Sequence, residues 1–195
     1  MRTVHFITHP NVVISAGIPV VSWPLSERGR ERMKAGLRQP WVPAITAIYC
    51  STEQKAIDGA AILGAHLRLV PRLEARLGEN DRTATGYLPA AEFEATADLF
   101  FAHPDVSVRG WERAVDAQAR IVAAVRDLVA ADPTAGAIAV VAHGAVGALL
   151  RCHLAGSKIS REWDQPPNGG GSYFSFSLPD PASVPPLAWH PVDGA

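Results

Sequence analysis

Two histidines each follow an apolar segment of strand length and precede a residue that disrupts a strand. His9 follows the run VHFIT and precedes Pro10, which cannot donate a ladder hydrogen bond. His143 follows the run IAVVA and precedes Gly144. Ligands of open α/β sheets bind beyond the carboxyl ends of the strands, so two histidines at that edge could face one ligand. This pair is our active-site hypothesis, although either histidine alone could be an ordinary polar loop residue.

Lys55 lies in the first turn of a predicted helix, where a cation interacts unfavourably with the helix dipole. The preceding Ser51-Thr52-Glu53 is expected to cap this helix, which should run over 54–67. One interpretation of Lys55 is a solvated surface side chain. The other is a cation that meets an anion at the sheet edge, where the backbone N–H groups of the same helix end also point. The sequence leaves both interpretations open.

A dense group of functional side chains occupies a loop later in the chain. Glu79, Asn80, Asp81 and Arg82 are consecutive there. Binding and catalytic residues concentrate on loops that a rigid scaffold positions. This loop is therefore a second candidate part of the site.

Strands and helices alternate along the elements that must position these residues. Besides the N-terminal strand, apolar runs predict strands at 44–50, 68–71, 138–142 and 172–178, the last with the alternation of an edge strand. Helices are predicted from the Ser26 N-cap to before Pro40 and over 54–67, 90–101, 110–131 and 144–154. Residues 11–23 are predicted to form an active-site loop. The alternation predicts an α/β fold, with a mainly parallel sheet covered by helices on both faces.

Composition restricts the class of protein. The chain has 195 residues, of which 48% are hydrophobic and 19% charged, so we expect one globular domain over 1–195 with a proline-rich extended tail at 179–195. A net charge of −1 offers no basic field for nucleic acid or an anionic membrane. We expect no membrane span, because no apolar run approaches ~20 residues. We expect no signal peptide, because the N-terminus runs straight into a strand without a charged region and a cleavable apolar segment. Cys50 and Cys152 form no metal-binding spacing, and a cytoplasmic location is the expectation.

Four segments in order resemble the histidine phosphatase superfamily, whose fold is phosphoglycerate-mutase-like. They are the strand that ends at His9, the segment PLSERGRER, the Ser-x-x-x-Lys-Ala pattern at 51–56 and the segment VVAHGAVGALLR. Glu112 and Arg120 match a pair on the long helix of that family, with an expected structural role. The resemblance implies a three-layer α/β sandwich over most of the chain.

The resemblance also implies roles for individual residues. His9 would attack a phosphoryl group and become phosphorylated, and His143 would line the phosphate pocket beside Gly144. Glu79 would protonate the leaving oxygen, with Asp81 as the reserve. Lys55 stands where the family has a phosphate-binding arginine. The resemblance implies no metal and no other cofactor.

Two positions depart from the family pattern. The Arg-His-Gly of the family is Thr8-His9-Pro10 here, and its second arginine is Lys55. A phosphate monoester carries a charge near −2, and its transfer depends on positioning and electrostatic stabilisation. Thr8 is expected to bind phosphate with only a neutral hydroxyl, so we expect another cation to enter the pocket. Arg82 is the leading candidate because it shares the Glu79 loop, and Arg109 and Arg113 follow.

The function expected from these residues is metal-independent hydrolysis of a phosphomonoester through a phosphohistidine on His9. The substrate would be a small phosphorylated molecule or a phosphoprotein, and a mutase is less favoured than a phosphatase. One alternative is a non-catalytic relative that binds phosphate or a phosphopeptide. The other is a metal-dependent hydrolase that uses His9, His143 and Asp81, although no H-x-H or H-E-x-x-H pattern is present.

Overall fold

The structure is a computed structural model that describes residues 1–178 and 187–194. Its strands are β1 (Arg2–Thr8), β2 (Ile45–Cys50), β3 (Arg72–Leu73), β4 (Ala137–Ala142), β5 (Ser172–Leu178) and β6 (His190–Pro191). Its α-helices are α1 (Glu27–Gly36), α2 (Gln54–Leu67), α3 (Ala90–Ala102), α4 (Ala114–Ala131) and α5 (Gly144–Leu154).

The strands form one mixed sheet in the order β3-β2-β4-β1-β5-β6. The first four strands of this order are parallel, and β5 and β6 are antiparallel to their neighbours. Every residue of β4 is buried, as expected for a central parallel strand covered on both faces. The sheet therefore brings the carboxyl ends of β1 and β4 side by side, with Thr8 opposite Ala142.

Alternating side chains of the central strands enter two different cores. Val4 and Phe6 of β1 pack with α4 and α5 on one face of the sheet. Ile7 of β1 packs with α1 and α2 on the other face. Successive strand residues point to opposite faces, so this division follows from the period of two. The α/β architecture with helices on both faces is confirmed.

Local chain geometry explains two wrong element boundaries. A strand was expected at 68–71, but Arg68 adopts a left-handed conformation (φ 58) that ends α2, and β3 begins only at Arg72. A helix was expected from residue 110, but α4 begins at Ala114. Arg109 (φ 52) and Gly110 (φ 81) are left-handed, and an α-helix cannot continue through that conformation.

The end of the chain is partly integrated into the sheet. Residues 179–186 of the predicted proline-rich tail lie outside the described residues, as does 195. Within 187–194, β6 pairs with Ser172 and Tyr173, so β5 is not an edge strand at its N-terminal end. Val192 is buried in the core between the sheet and α1. Among the helices of 1–178 and 187–194, none has the length and apolar character that crossing a membrane requires.

Candidate active site

His9 lies just past the end of β1, where its backbone N–H donates to Ala142 of β4 (3.0 Å). Its ring Nδ1 lies 3.0 Å from the carbonyl oxygen of Pro10. A carbonyl oxygen only accepts, so Nδ1 carries the proton and the lone pair is on Nε2. Burial lowers the pKa of His9 to about 4, so the ring is neutral at pH 7. A neutral imidazole with a free Nε2 is a competent nucleophile.

His143 lies against His9 at the end of β4, with the two ring centroids 5.1 Å apart. Its ring is wholly buried, and Nε2 lies 2.8 Å from the Ser51 hydroxyl and 3.3 Å from a Glu53 carboxylate oxygen. Burial lowers the pKa of His143 well below its usual range. Its Nδ1 is buried and has no hydrogen-bond partner among the described residues. The structure thus brings the two predicted histidines together.

Glu53 connects several parts of the site and was missed in the sequence. Its carboxylate accepts from Lys55 Nζ (2.5 Å) and from the backbone N–H of Glu79 (2.8 Å) and faces His143. Burial alone would raise the pKa of this carboxyl, but His143, Lys55 and the two hydrogen bonds together lower it to about 2. The cap-like Ser51-Thr52-Glu53 pattern concealed this role, since the Glu53 side chain makes no helix cap.

Lys55 is buried, with only 2% of its surface exposed, so the solvated surface interpretation is wrong. Its ammonium group donates to the Glu53 carboxylate and to the carbonyl oxygen of Val20 (2.9 Å). Its charge is therefore largely compensated by Glu53. The second contact ties α2 to the loop between β1 and α1.

Glu79 lies at the N-terminus of α5, where its carboxylate oxygens accept from the backbone N–H groups of Ala145 (3.2 Å) and Val146 (3.1 Å). Burial raises the pKa of Glu79 despite the opposing Arg82 charge and these amides. A raised carboxyl pKa suits a proton donor. The reserve candidate Asp81 differs, because hydrogen bonds from Thr83 lower its pKa.

Arg82 is the predicted replacement cation, and its guanidinium lies 4.9 Å from the centre of the Phe93 ring. Within residues 1–178 and 187–194 it forms no ion pair. The other two candidates are engaged elsewhere, Arg109 with Glu92 (3.4 Å) and Arg113 with Asp116 (2.6 Å). A cleft of 340 Å³ is lined by Arg82 together with His9, Glu79, Gly144 and Gln165.

Thr8 does not contribute its side chain directly to this cleft. It is 1% exposed, and its hydroxyl lies 2.7 Å from Gln165 Oε1 and accepts from the Ser172 backbone N–H (2.9 Å). The Gln165 side chain in turn lies against the first residue of α5. A Cβ atom placed on Gly144 would come within 2.4 Å of Gln165 Nε2. Gln165 was missed because it lies in a loop after α5 with no recognisable motif.

The described residues contain no group of three or more His, Cys, Asp and Glu side chains that could hold a metal ion. In particular, the set His9, His143 and Asp81 does not form a metal-binding cluster. The oxygens of Asp81 accept from Thr83 instead.

The comparisons with known proteins identify a family and a shared fold. The family model of the histidine phosphatase superfamily (branch 1) matches residues 20–177, a range that includes Lys55, Glu79 and His143 but begins after His9. A structure of mycobacterial glucosyl-3-phosphoglycerate phosphatase is 24% identical, with a TM-score of 0.76 over 97% of this chain and 96% of that one.

Two further solved structures share the fold. One, titled mycobacterial hydrolase 1, is 25% identical, with a TM-score of 0.75 over 97% of this chain and 95% of that one. Bacillus stearothermophilus YhfR is 24% identical, with a TM-score of 0.73 over 100% of this chain and 97% of that one. The comparison with curated proteins found no match.

Proposed function

The chain belongs to the histidine phosphatase superfamily, and from this premise we propose that it hydrolyses a phosphomonoester through a phosphohistidine on His9. The observation that carries the proposal is the His9 ring itself. Its Nδ1–H is held by the Pro10 carbonyl, and its Nε2, which has no hydrogen-bond partner among the described residues, lies beside His143. This is the geometry that a nitrogen nucleophile requires.

The first step forms the phosphoenzyme. The lone pair of His9 Nε2 attacks phosphorus, an N–P bond forms and the P–O bond to the alcohol breaks. Glu79 gives its proton to the departing oxygen and becomes a carboxylate. The amides of Ala145 and Val146 then stabilise the new negative charge on Glu79.

The second step regenerates the enzyme. The Glu79 carboxylate takes a proton from water, whose oxygen attacks phosphorus as the N–P bond breaks. Inorganic phosphate leaves, His9 returns to the neutral state and Glu79 is again protonated. No other reactant is needed.

Charge and hydrogen bonding around the cleft support phosphoryl binding. Arg82 supplies a permanent cation and a planar fork that can hold two oxygens. The Gln165 amide, oriented by Thr8, offers two neutral donors. His143 Nδ1, which has no partner among the described residues, donates to a phosphoryl oxygen in the tautomer in which the Ser51 hydroxyl donates to Nε2. In this proposal Thr8 acts by positioning Gln165, while Lys55 contributes at longer range because Glu53 holds it.

The test of the proposal is substitution of the nucleophile. His9→Ala should lower phosphatase activity by about 10³-fold or more and abolish the acid-labile phosphoenzyme detected by mass spectrometry. His103→Ala, at an exposed histidine after α3, is the matched control. Full activity of His9→Ala, in a variant whose fold is verified by circular dichroism, would refute the covalent mechanism.

A second candidate is a phosphate-binding relative without turnover. It is favoured by the pairing of Lys55 with Glu53 and by the absence of an arginine at Thr8, which leave Arg82 as the principal cation of the cleft. Binding of vanadate by the parent protein, without phosphoenzyme or product from any phosphomonoester, would establish this alternative.

A further inference from the structure

The loop between β1 and α1 is unusual in composition and exposure. From Pro10 to Leu25 it contains no Asp, Glu, Lys or Arg. Four of its large apolar side chains are exposed, Val13 (48%), Ile14 (64%), Ile18 (42%) and Val21 (47%). A contiguous group of exposed apolar side chains commonly marks a binding surface.

Hydrogen bonds fix this loop in place, so the exposure does not come from a loose segment. The Trp23 indole donates to the carbonyl of Ser15 (2.9 Å), and the backbone N–H of Val13 donates to Pro24 (2.9 Å). Lys55 donates to the carbonyl of Val20. The apolar side chains are thus presented in a prearranged form, which lowers the entropy cost of binding.

The apolar surface begins at the reacting groups. A cleft of 580 Å³ is lined by Pro19, Val20 and Val21 of this loop, together with Gly86 and the polar residues Glu53, Glu79, Asn80, Asp81, Arg82 and Thr83. Glu79 and Arg82 also line the cleft that contains His9. If Glu79 protonates the leaving oxygen, the carbon skeleton attached to that oxygen extends from Glu79 into this second cleft.

Asn80 supplies an independent observation in the same cleft. Its side chain is 5% exposed, and its Nδ2 is buried without a hydrogen-bond partner among the described residues. An unsatisfied buried donor is costly unless a ligand or water completes it. Asn80 is adjacent to Glu79, so an oxygen of the phosphoester group is the acceptor that the proposed substrate offers there.

We propose that the substrate is a phosphomonoester of an apolar alcohol or phenol, whose hydrocarbon part packs against Pro19, Val20 and Val21. This inference rests on the proposed function and specifies its substrate class. Hydroxyl or carboxylate groups of a sugar or glycerate skeleton that lie against Pro19, Val20 and Val21 would lose hydration without replacement from these three side chains. A hydrocarbon skeleton gains by leaving water.

Non-hydrolysable alkylphosphonates test the pocket without requiring turnover. Calorimetry with ethyl-, butyl- and hexylphosphonate should show affinity rising about fourfold per methylene until the cleft is filled. Val21→Ser should flatten this dependence. Val70→Ser, at an exposed valine beyond the opposite end of α2, is the matched control and should keep the parent slope. A slope that is absent in the parent, or that Val21→Ser does not alter, overturns the inference.

Turnover provides the second arm and separates the two proposals. Hexyl phosphate and glycerol 3-phosphate both release a primary alcohol, and we expect at least about tenfold higher kcat/KM for hexyl phosphate. Equal or faster hydrolysis of glycerol 3-phosphate overturns the apolar substrate class while leaving phosphatase function intact. Chain-length-dependent phosphonate binding with no turnover of any ester would instead refute the proposed function and retain the apolar site.

Discussion

At the residue scale, environment separates the two roles that phosphoryl transfer requires. Burial keeps His9 neutral and available as a nucleophile, with its pKa lowered to about 4. Burial acts oppositely on a carboxyl and raises the pKa of Glu79, which favours the protonated form. Burial thus gives a neutral nucleophile, His9, and a carboxyl that favours its protonated form, Glu79, in the lining of the same cleft.

The acid role of Glu79 predicts a dependence on the leaving group. Glu79→Gln should slow alkyl phosphates by about 10²–10⁴-fold and aryl phosphates much less, because a basic departing oxygen needs the proton more. Steady-state rates across a leaving-group series measure this. Glu31→Gln, on the exposed face of α1, is the control. Equal slowing across the series would show that Glu79 is not the proton donor, and Asp81 or no residue would then have that role.

Removal of Arg82 and removal of Lys55 should affect different properties of the protein, namely anion binding and stability. Arg82→Ala should weaken inhibition by vanadate or phosphate about 10- to 100-fold, because a charged hydrogen-bonding group is lost. Lys55→Ala should chiefly lower the free energy of unfolding, by about 3–5 kcal/mol, because it leaves the Glu53 carboxylate buried without its partner.

Inhibition constants and urea unfolding separate these effects, with Arg126→Ala, at an exposed arginine of α4, as the control for Arg82→Ala. The prediction is contradicted if Arg82→Ala binds vanadate or phosphate as tightly as the parent while folded Lys55→Ala loses this binding. The replacement cation would then lie elsewhere, and Arg113 should be tried along with Arg109.

At the scale of elements, α4 positions the segment that carries the proton donor. The Arg120 guanidinium donates to the carbonyls of Arg76 (2.8 Å), Gly78 (2.9 Å) and Glu79 (3.1 Å). Glu112 anchors Arg120 with an ion pair of 2.7 Å. The expected structural role of Glu112 and Arg120 is therefore to hold the backbone of the segment that carries Glu79.

Arg120→Ala should leave these carbonyls without their donor and loosen the segment. We expect a lower melting temperature and a lower kcat for alkyl phosphates with little change in vanadate affinity, since the anion-binding groups are untouched. Arg126→Ala, at an exposed arginine of the same helix, is the matched control. Equal loss of kcat for alkyl and aryl phosphates would show that Arg120 does not act through Glu79.

At the scale of the whole molecule, buried histidines couple stability to pH. Burial lowers the pKa of both His5 and His9 to about 4, and it lowers the pKa of His143 well below its usual value. Between pH 6.5 and 4 the unfolded chain binds protons that the folded chain does not. Acidification through this window therefore favours unfolding.

His5 isolates this effect because it lies away from the cleft, stacked on Trp41 and hydrogen-bonded to Ser175. The parent should lose about 2 kcal/mol of stability from His5 alone between pH 7 and pH 5. His5→Gln should remove that part of the pH dependence in urea titrations, and His153→Gln, at an exposed histidine, should not. Parallel pH curves for His5→Gln and the parent would refute this assignment.

The sequence by itself determined the elements and the histidine pair. The α2 and α5 boundaries match the prediction, because apolar periodicity is a local signal, and neither helix has a side-chain N-cap. The position of His9 and His143 followed from two apolar strands ending at one sheet edge, a consequence of parallel topology. The errors at residues 68–71 and 110–113 occurred where left-handed residues ended or delayed an element.

Only the tertiary structure decided how the polar groups of the site are partnered. Thr8 meets Gln165 and Glu79 meets the α5 amides across long separations in sequence, which no local pattern encodes. Glu53, rather than a ligand, neutralises Lys55, and Arg82 keeps its charge unpaired within the described residues. The physical reason is that periodicity fixes which face a residue occupies, whereas the partner of a buried charge depends on which elements pack around it.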